Sequence, residues 1–181
     1  GTRHMDNRMT EETLPGYFRE LAGIEVEEYD SICNFKVKVS GQFGNGEASI
    51  WADIINPVTA KPLAVYDSEY YKGKAAITVN SYGKGKCYYI GCDLDADATY
   101  ALMDYIAKEA GVEKALDNVP ENVEVVKKYT EDGKEFYFIM NFNNFESSVE
   151  LPFDAINIET DEKLGNKIVL SAYGSIVVTK Q

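Results

Sequence analysis

Apolar and polar positions alternate most clearly over residues 75–95, AAITVNSYGKGKCYYIGCDLD. Ala75, Ile77 and Val79 alternate in one half and Cys87, Tyr89 and Gly91 in the other, so each half predicts a strand with one face for a core and one for a second layer. Between them, Tyr82-Gly83-Lys84-Gly85-Lys86 supplies two residues free to take positive φ, and the strands are expected to fold back as a hairpin. After Gly91 the period changes. Ala98, Ala101, Leu102, Tyr105 and Ile106 follow helical spacing until Gly111, with Asp93, Asp95 and Asp97 as N-cap candidates. A strand feeding an amphipathic helix predicts α/β organisation here.

Upstream, TLPGYFRELAGIEVEEYD at 13–30 predicts a helix of about two turns, with Tyr17, Phe18 and Leu21 sharing a face and Gly23 ending it. Ile24, Val26 and Glu28 then open an extended stretch. Phe35, Val37 and Val39 alternate with Lys36 and Lys38 in a half-buried strand pattern, followed by a glycine-rich turn at 41–46. A phosphate cradle would need a helix and a Lys-Ser/Thr pair after those glycines, and residues 48–55 continue instead as strand. Pro57 and Pro62 bracket a turn, residues 63–66 restart a strand, and SEYYKG at 68–73 sets Tyr70 and Tyr71 on a connection.

Val119-Pro120-Glu121-Asn122 breaks the pattern and reads as a linker. Beyond it, residues 123–129, 135–142, 147–151, 156–160, 167–170 and 176–179 predict short strands. Turns at Asp132-Gly133, Asn143-Asn144 and Gly165-Asn166 separate them. No helical period interrupts them, so this part predicts a small all-β unit of antiparallel hairpins. The organisation expected is therefore a tag or unordered start at 1–12, a strand-rich α/β domain at 13–118 and a small all-β antiparallel unit at 119–181.

The 181 residues carry a formal charge of -12 with pI near 4.5. Phosphate backbones and anionic membranes would be repelled over most of such a surface, so neither nucleic acid nor membrane is an expected partner. No apolar run approaches the ~18 residues of a spanning helix and no signal peptide is visible. Cys33, Cys87 and Cys92 form an odd count without a CxxC pair, which predicts reduced thiols in a cytoplasm. Cys87 and Cys92 are an odd number apart and would face opposite ways in one strand.

The single histidine, His4, lies in the opening GTRHMDNRMT, which leaves no histidine for a Ser-His or Cys-His pair or a metal site in the folded body. Asp93, Asp95 and Asp97 have the spacing that opens a calcium loop. Ala98 stands at its sixth position and Asp104 at its twelfth, however, and helix capping accounts for these acids more simply. No cofactor or metal is therefore expected. Trp51, the only tryptophan, stands two residues before Asp53. An aromatic ring beside an acid can stack a pyranose and take its hydroxyls, while core or interface packing is the commoner role of such a ring. Tyr70 and Tyr71 suit either a carbohydrate or a protein interface.

LPGYFRELAGIEVEEYD at 14–30, Trp51-Ala52-Asp53, residues 63–95 and the closing VLSAYGSIVVTK at 169–180 together resemble, in order, the glycoside hydrolase family 42 β-galactosidases after their catalytic barrel. The resemblance implies part of a trimerisation domain of glutamine-amidotransferase-like α/β topology, then a small all-β antiparallel sandwich. The family's catalytic glutamates and its cysteine zinc site belong to the barrel, and no residue here corresponds to them.

Retaining hydrolysis of terminal β-galactosides needs two carboxyl groups about 5 Å apart on a rigid scaffold. The acids of this chain read instead as solvated faces, caps and turns. The expectation is thus a non-catalytic assembly region of a β-galactosidase of carbohydrate metabolism, inactive alone. Such a region would belong to a homo-oligomer, a trimer in the parent, whose galactoside substrate is met by the barrel. A carbohydrate-binding module using Trp51, Tyr70 and Tyr71 is the alternative. An amidotransferase-like activity would require a cysteine elbow and a histidine in reach, and Gly91-Cys92-Asp93 has neither.

Overall fold

A computed structural model describes residues 3–33 and 35–181. Gly1 and Thr2 of the expected unordered start lie outside the described residues. The chain divides into a first unit ending at Gly111 and a second spanning Val112–Gln181.

The first unit is built on seven strands: β1 (Ile24–Ser31), β2 (Val37–Gly41), β3 (Gly44–Pro57), β4 (Lys61–Tyr66), β5 (Ala75–Tyr82), β6 (Gly85–Ile90) and β7 (Cys92–Leu94). They form one sheet in the order β1-β3-β2-β4-β5-β6, with β7 joined to β3. Its pairings are antiparallel. The predicted hairpin is β5–β6, running from Ile77 opposite Ile90 to Tyr82 opposite Gly85. The glycine-rich stretch at 41–46 is a hairpin turn, with Gly41 opposite Gly44.

Each face of the sheet carries a helix. Helix α2 (Ala96–Glu109) packs Leu102, Tyr105 and Ile106 into a core with Val37, Val39, Tyr66 and Ile77. Of the three acids offered as caps, Asp95 is the N-cap: Oδ1 accepts from Ala98 N at 2.9 Å and Oδ2 from Glu47 N at 2.6 Å. One carboxylate therefore satisfies a helix donor and fastens β3 to the helix start. Asp93 instead lies in β7 and accepts from Ser49 Oγ at 3.1 Å.

On the other face, the expected two-turn helix is a 3-10 turn at Gly16–Phe18 and a single α turn, α1 (Arg19–Ala22). The mixed period separates the three aligned side chains. Tyr17 turns to solvent and pairs with His4 Nδ1 at 3.0 Å, whereas Phe18 and Leu21 face the sheet side. Gly23 caps α1 at φ +66°, and its carbonyl accepts from the N–H groups of Val58, Thr59 and Ala60. Asn80 of β5 donates to the carbonyls of Glu20 and Leu21, so the helix end is satisfied by the sheet. Ala22, Ile24, Val26, Ile55 and Ala75 form the core beneath.

The second unit holds β8 (Val123–Tyr129), β9 (Glu135–Asn141), β10 (Ser147–Glu150), β11 (Ala155–Asn157), β12 (Lys163–Leu164), β13 (Lys167–Leu170) and β14 (Ser175–Lys180). A five-stranded sheet, β12-β11-β14-β9-β8, and a β10-β13 pair enclose Tyr137, Ile139, Val149, Ile168, Leu170 and Val178. This is the small antiparallel sandwich expected.

Candidate functional site

The site grows from the register of β1 on β3. Trp51 and Asp53 stand two apart on β3 and so share a face. Across the pair, Tyr29 lies opposite Asp53 and Ser31 opposite Trp51, which brings Tyr29 to the same side. Tyr89 and Cys87 of β6 and Phe18, Leu21 and Val26 complete an open, mostly apolar concavity of about 780 Å³. Trp51 is 55% exposed, Tyr29 72% and Phe18 55%, and these rings form its rim. Residues of the opening segment, Arg3 and Met9, also border it.

One polar pair stands inside. The Tyr89 hydroxyl donates to Asp53 Oδ2 at 2.7 Å. Burial pushes the Asp53 carboxyl above the usual aspartate value, and the Tyr89 hydrogen bond pulls part of the way back. Burial chiefly, with the neighbouring Asp53, raises the Tyr89 phenol. The pair therefore keeps a hydrogen-bonded acid in a mostly apolar wall.

The three rings expected to bind sugar are divided. Trp51 is on the concavity with Asp53. Tyr71 is 2% exposed: its hydroxyl donates to Asp30 Oδ2 at 3.1 Å and its ring meets Tyr66 edge-on at 4.9 Å. Asp30 follows Tyr29 on β1 and so points to the opposite face of the sheet. Tyr70 is 70% exposed and packs edge-on against Tyr71, away from Trp51. No single stacking platform joins Trp51 to the tyrosine pair. Burial of Tyr71 follows from Tyr66 and the α2-side core, to which both belong.

Cys87 and Cys92 do face opposite ways. Cys87 borders the concavity, whereas Cys92 is buried in the α2-side core. Burial pushes the Cys92 thiol up to about 12, so it stays protonated at neutral pH, and His4 is engaged by Tyr17. Among the described residues, no three His, Cys, Asp or Glu side chains converge as metal ligands, and no helix is long and apolar enough to cross a membrane.

Tyr29, Tyr89 and Phe18 were not singled out in the sequence as site residues. Period-two alternation put Tyr89 on a face, but only the β1–β3 register brings Tyr29 opposite Asp53.

Residues 1–113 match the β-galactosidase trimerisation domain, and residues 122–180 match the β-galactosidase C-terminal domain. The chain belongs to the glycoside hydrolase family 42 β-galactosidases. It is 38% identical over 151 residues to the β-galactosidase LacA of Lactobacillus acidophilus, covering 82% of this chain and 22% of that protein. It is 34% identical over 174 residues to the β-galactosidase BgaA of a Planococcus species, covering 92% of this chain and 25% of that one. The crystal structure of the cold-adapted β-galactosidase from Rahnella sp. R3 superposes with a TM-score of 0.85 at 30% identity, over 99% of this chain and 27% of that one. This family 42 chain thus spans about a quarter of the length of the relatives it matches. It comprises the trimerisation and C-terminal domains, non-catalytic parts of these enzymes. The described concavity falls within the trimerisation-domain match.

Proposed function

We propose that this chain is the assembly region of a homotrimeric, cytoplasmic β-galactosidase of carbohydrate metabolism. A barrel outside this sequence would hydrolyse terminal β-D-galactosides with retention, and apolar, tyrosine-rich surface around the β5–β6 hairpin would join the subunits. The observation that carries this reading is the pair of consecutive domain matches, 1–113 and 122–180, neither of them the catalytic part. Apolar rings left exposed at Phe18, Tyr29 and Trp51 support an interface role. The test is the solution mass of a longer family 42 protein carrying this region, with and without it. A trimer that falls to monomer on deletion is expected, and a trimer that survives deletion would sink the proposal.

A carbohydrate-binding role is the second reading, favoured by the exposed Trp51 ring beside Asp53. Tyr70 could add a second, separate stacking surface, and burial of Tyr71 takes one ring from this reading. Affinity electrophoresis in galactan gels discriminates: retardation lost in Trp51→Ala supports sugar binding, and identical migration of the parent and variant rejects it.

A further inference from the structure

The concavity at Trp51 presents Leu14, Phe18, Leu21 and Val26 around a single carboxylate, Asp53. Among the described residues, Asp53 has no ion-pair partner. Tyr89 occupies its Oδ2, and Arg3, the basic side chain on the lining, donates instead to the carbonyl and side chain of Asn7. A cation is what this acid lacks. A pyranose would bring roughly four hydroxyls to a wall that offers few polar partners besides Asp53 and Tyr89. An apolar segment carrying one basic group matches the wall better.

Such a segment is present on the chain itself. The β5–β6 hairpin ends in Tyr82-Gly83-Lys84, with Tyr82 47% exposed and Gly83 at φ +57° in the turn. Lys86, two residues on, is taken by Glu109, whereas among the described residues no ion pair involves Lys84. A ring-closed trimer uses two different patches, one on each side of the contact, so every copy must carry both a receiving and an entering surface. The concavity and the hairpin tip are two such surfaces.

We propose that the hairpin tip of one copy seats in the concavity of the next, with Tyr82 against the Phe18 and Trp51 rings and the Lys84 ammonium on the Asp53 carboxylate. This rests on the assembly reading above and names its contact.

The sole tryptophan makes the contact observable, because Trp51 emission reports this concavity and nothing else in the chain. The experiment is sedimentation equilibrium of the 181-residue protein, with Trp51 emission followed over the same dilution series, for the parent, Lys84→Asp, Asp53→Lys and the double charge swap. The parent is expected to self-associate with a blue shift of Trp51. Lys84→Asp should weaken association about tenfold or more, and the double swap should recover most of it. Lys84 lies on an exposed turn, so its variant tests the contact even if Asp53→Lys fails to fold. Association that leaves Trp51 emission unchanged, or that Lys84→Asp does not weaken, overturns the hairpin contact while the assembly reading stands. A parent that stays monomeric at millimolar concentration overturns both for this region. Trp51 emission that instead saturates with lactose would assign the concavity to a saccharide and also overturn the contact.

Discussion

Tyr89 and Asp53 meet across two strands that are not neighbours in the sheet: the phenol on β6 donates to the carboxylate on β3 at 2.7 Å, inside a mostly apolar concavity. Burial opposes the charge on Asp53 and the phenol partly supports it. Removing the donor therefore leaves a half-buried carboxylate with less to hold it. Tyr89→Phe is expected to cost about 1–3 kcal/mol at pH 7, measured by urea unfolding, and to raise the Asp53 carboxyl further. Unchanged stability together with an unmoved Asp53 titration would contradict the pairing.

The same carboxyl sets a pH dependence of unusual sign. Its folded value lies above the ordinary aspartate value, so between the two the folded state holds more protons than the unfolded one. Stability contributed by Asp53 accordingly falls as pH rises through that window. Asp53→Asn keeps an acceptor for Tyr89 without the charge and should melt higher than the parent at pH 7. The difference should close below the ordinary aspartate range. Melting curves at low micromolar concentration check this, and an Asn variant that melts lower at pH 7 would show the charge to be favourable.

Asp95 works in the opposite direction. Backbone N–H bonds from Ala98 first, and then from Glu47, hold its carboxyl below the usual range. Its contribution is present above the ordinary aspartate value and is lost as pH falls toward the depressed folded value. Asp95→Ala is expected to cost about 1–2 kcal/mol at neutral pH. Asp95→Asn, which can still cap, should recover much of that. Equal losses in the two variants would show the cap bonds to be immaterial.

Gly46 tests how closely α2 rests on β3. A Cβ there would lie 2.3 Å from the Ala98 Cβ, which is part of the helix seat and has no rotamer to yield. Gly46→Ala should therefore destabilise the first unit by about 1–3 kcal/mol through overpacking. Ala98→Gly placed on top should relieve part of it. Double-variant unfolding free energies that add without coupling would refute the contact.

Much of this fold was legible because its signals are local. The β5–β6 turn follows from two glycines in five residues, Asp95 was among three acids placed before a helical period, and Asp132-Gly133 marked a hairpin. What stayed hidden depends on pairing between distant residues. Tyr71 sits beside the exposed Tyr70, and nothing nearby in sequence tells that it packs on Tyr66 in the core or that Asp30, 41 positions away, accepts from its hydroxyl. Tyr17 left the face of Phe18 because the segment begins as a 3-10 turn, whose threefold period breaks the helical alignment. The two-residue β12 is too short to show alternation. For the site, Trp51 and Asp53 were found as a pair, whereas Tyr29 and Tyr89 joined them only through strand register.

Asn141 offers the clearest test of the second unit. It is 2% exposed at the end of β9, and its amide donates to the carbonyls of Phe145 at 2.8 Å and Ser171 at 2.9 Å while its oxygen accepts from Asn143 N at 3.0 Å. One side chain thus satisfies both the β9–β10 loop and the segment after β13. Aspartate has nearly the same shape but cannot donate, and it would set a charge against two carbonyls. Asn141→Asp is expected to destabilise the second unit by about 3 kcal/mol, the sum expected from unpairing buried groups. Asn141→Gln should also fail to restore it, since the extra methylene has no room in a buried site. Because Trp51 lies in the first unit, its emission reports that unit alone, while hydrogen exchange at β9 and β14 reports the second. Loss of protection at Ile139 and Val178 without a matching shift in the Trp51 transition is the expected result. Protection unchanged in Asn141→Asp would mean that the loops are held by other bonds.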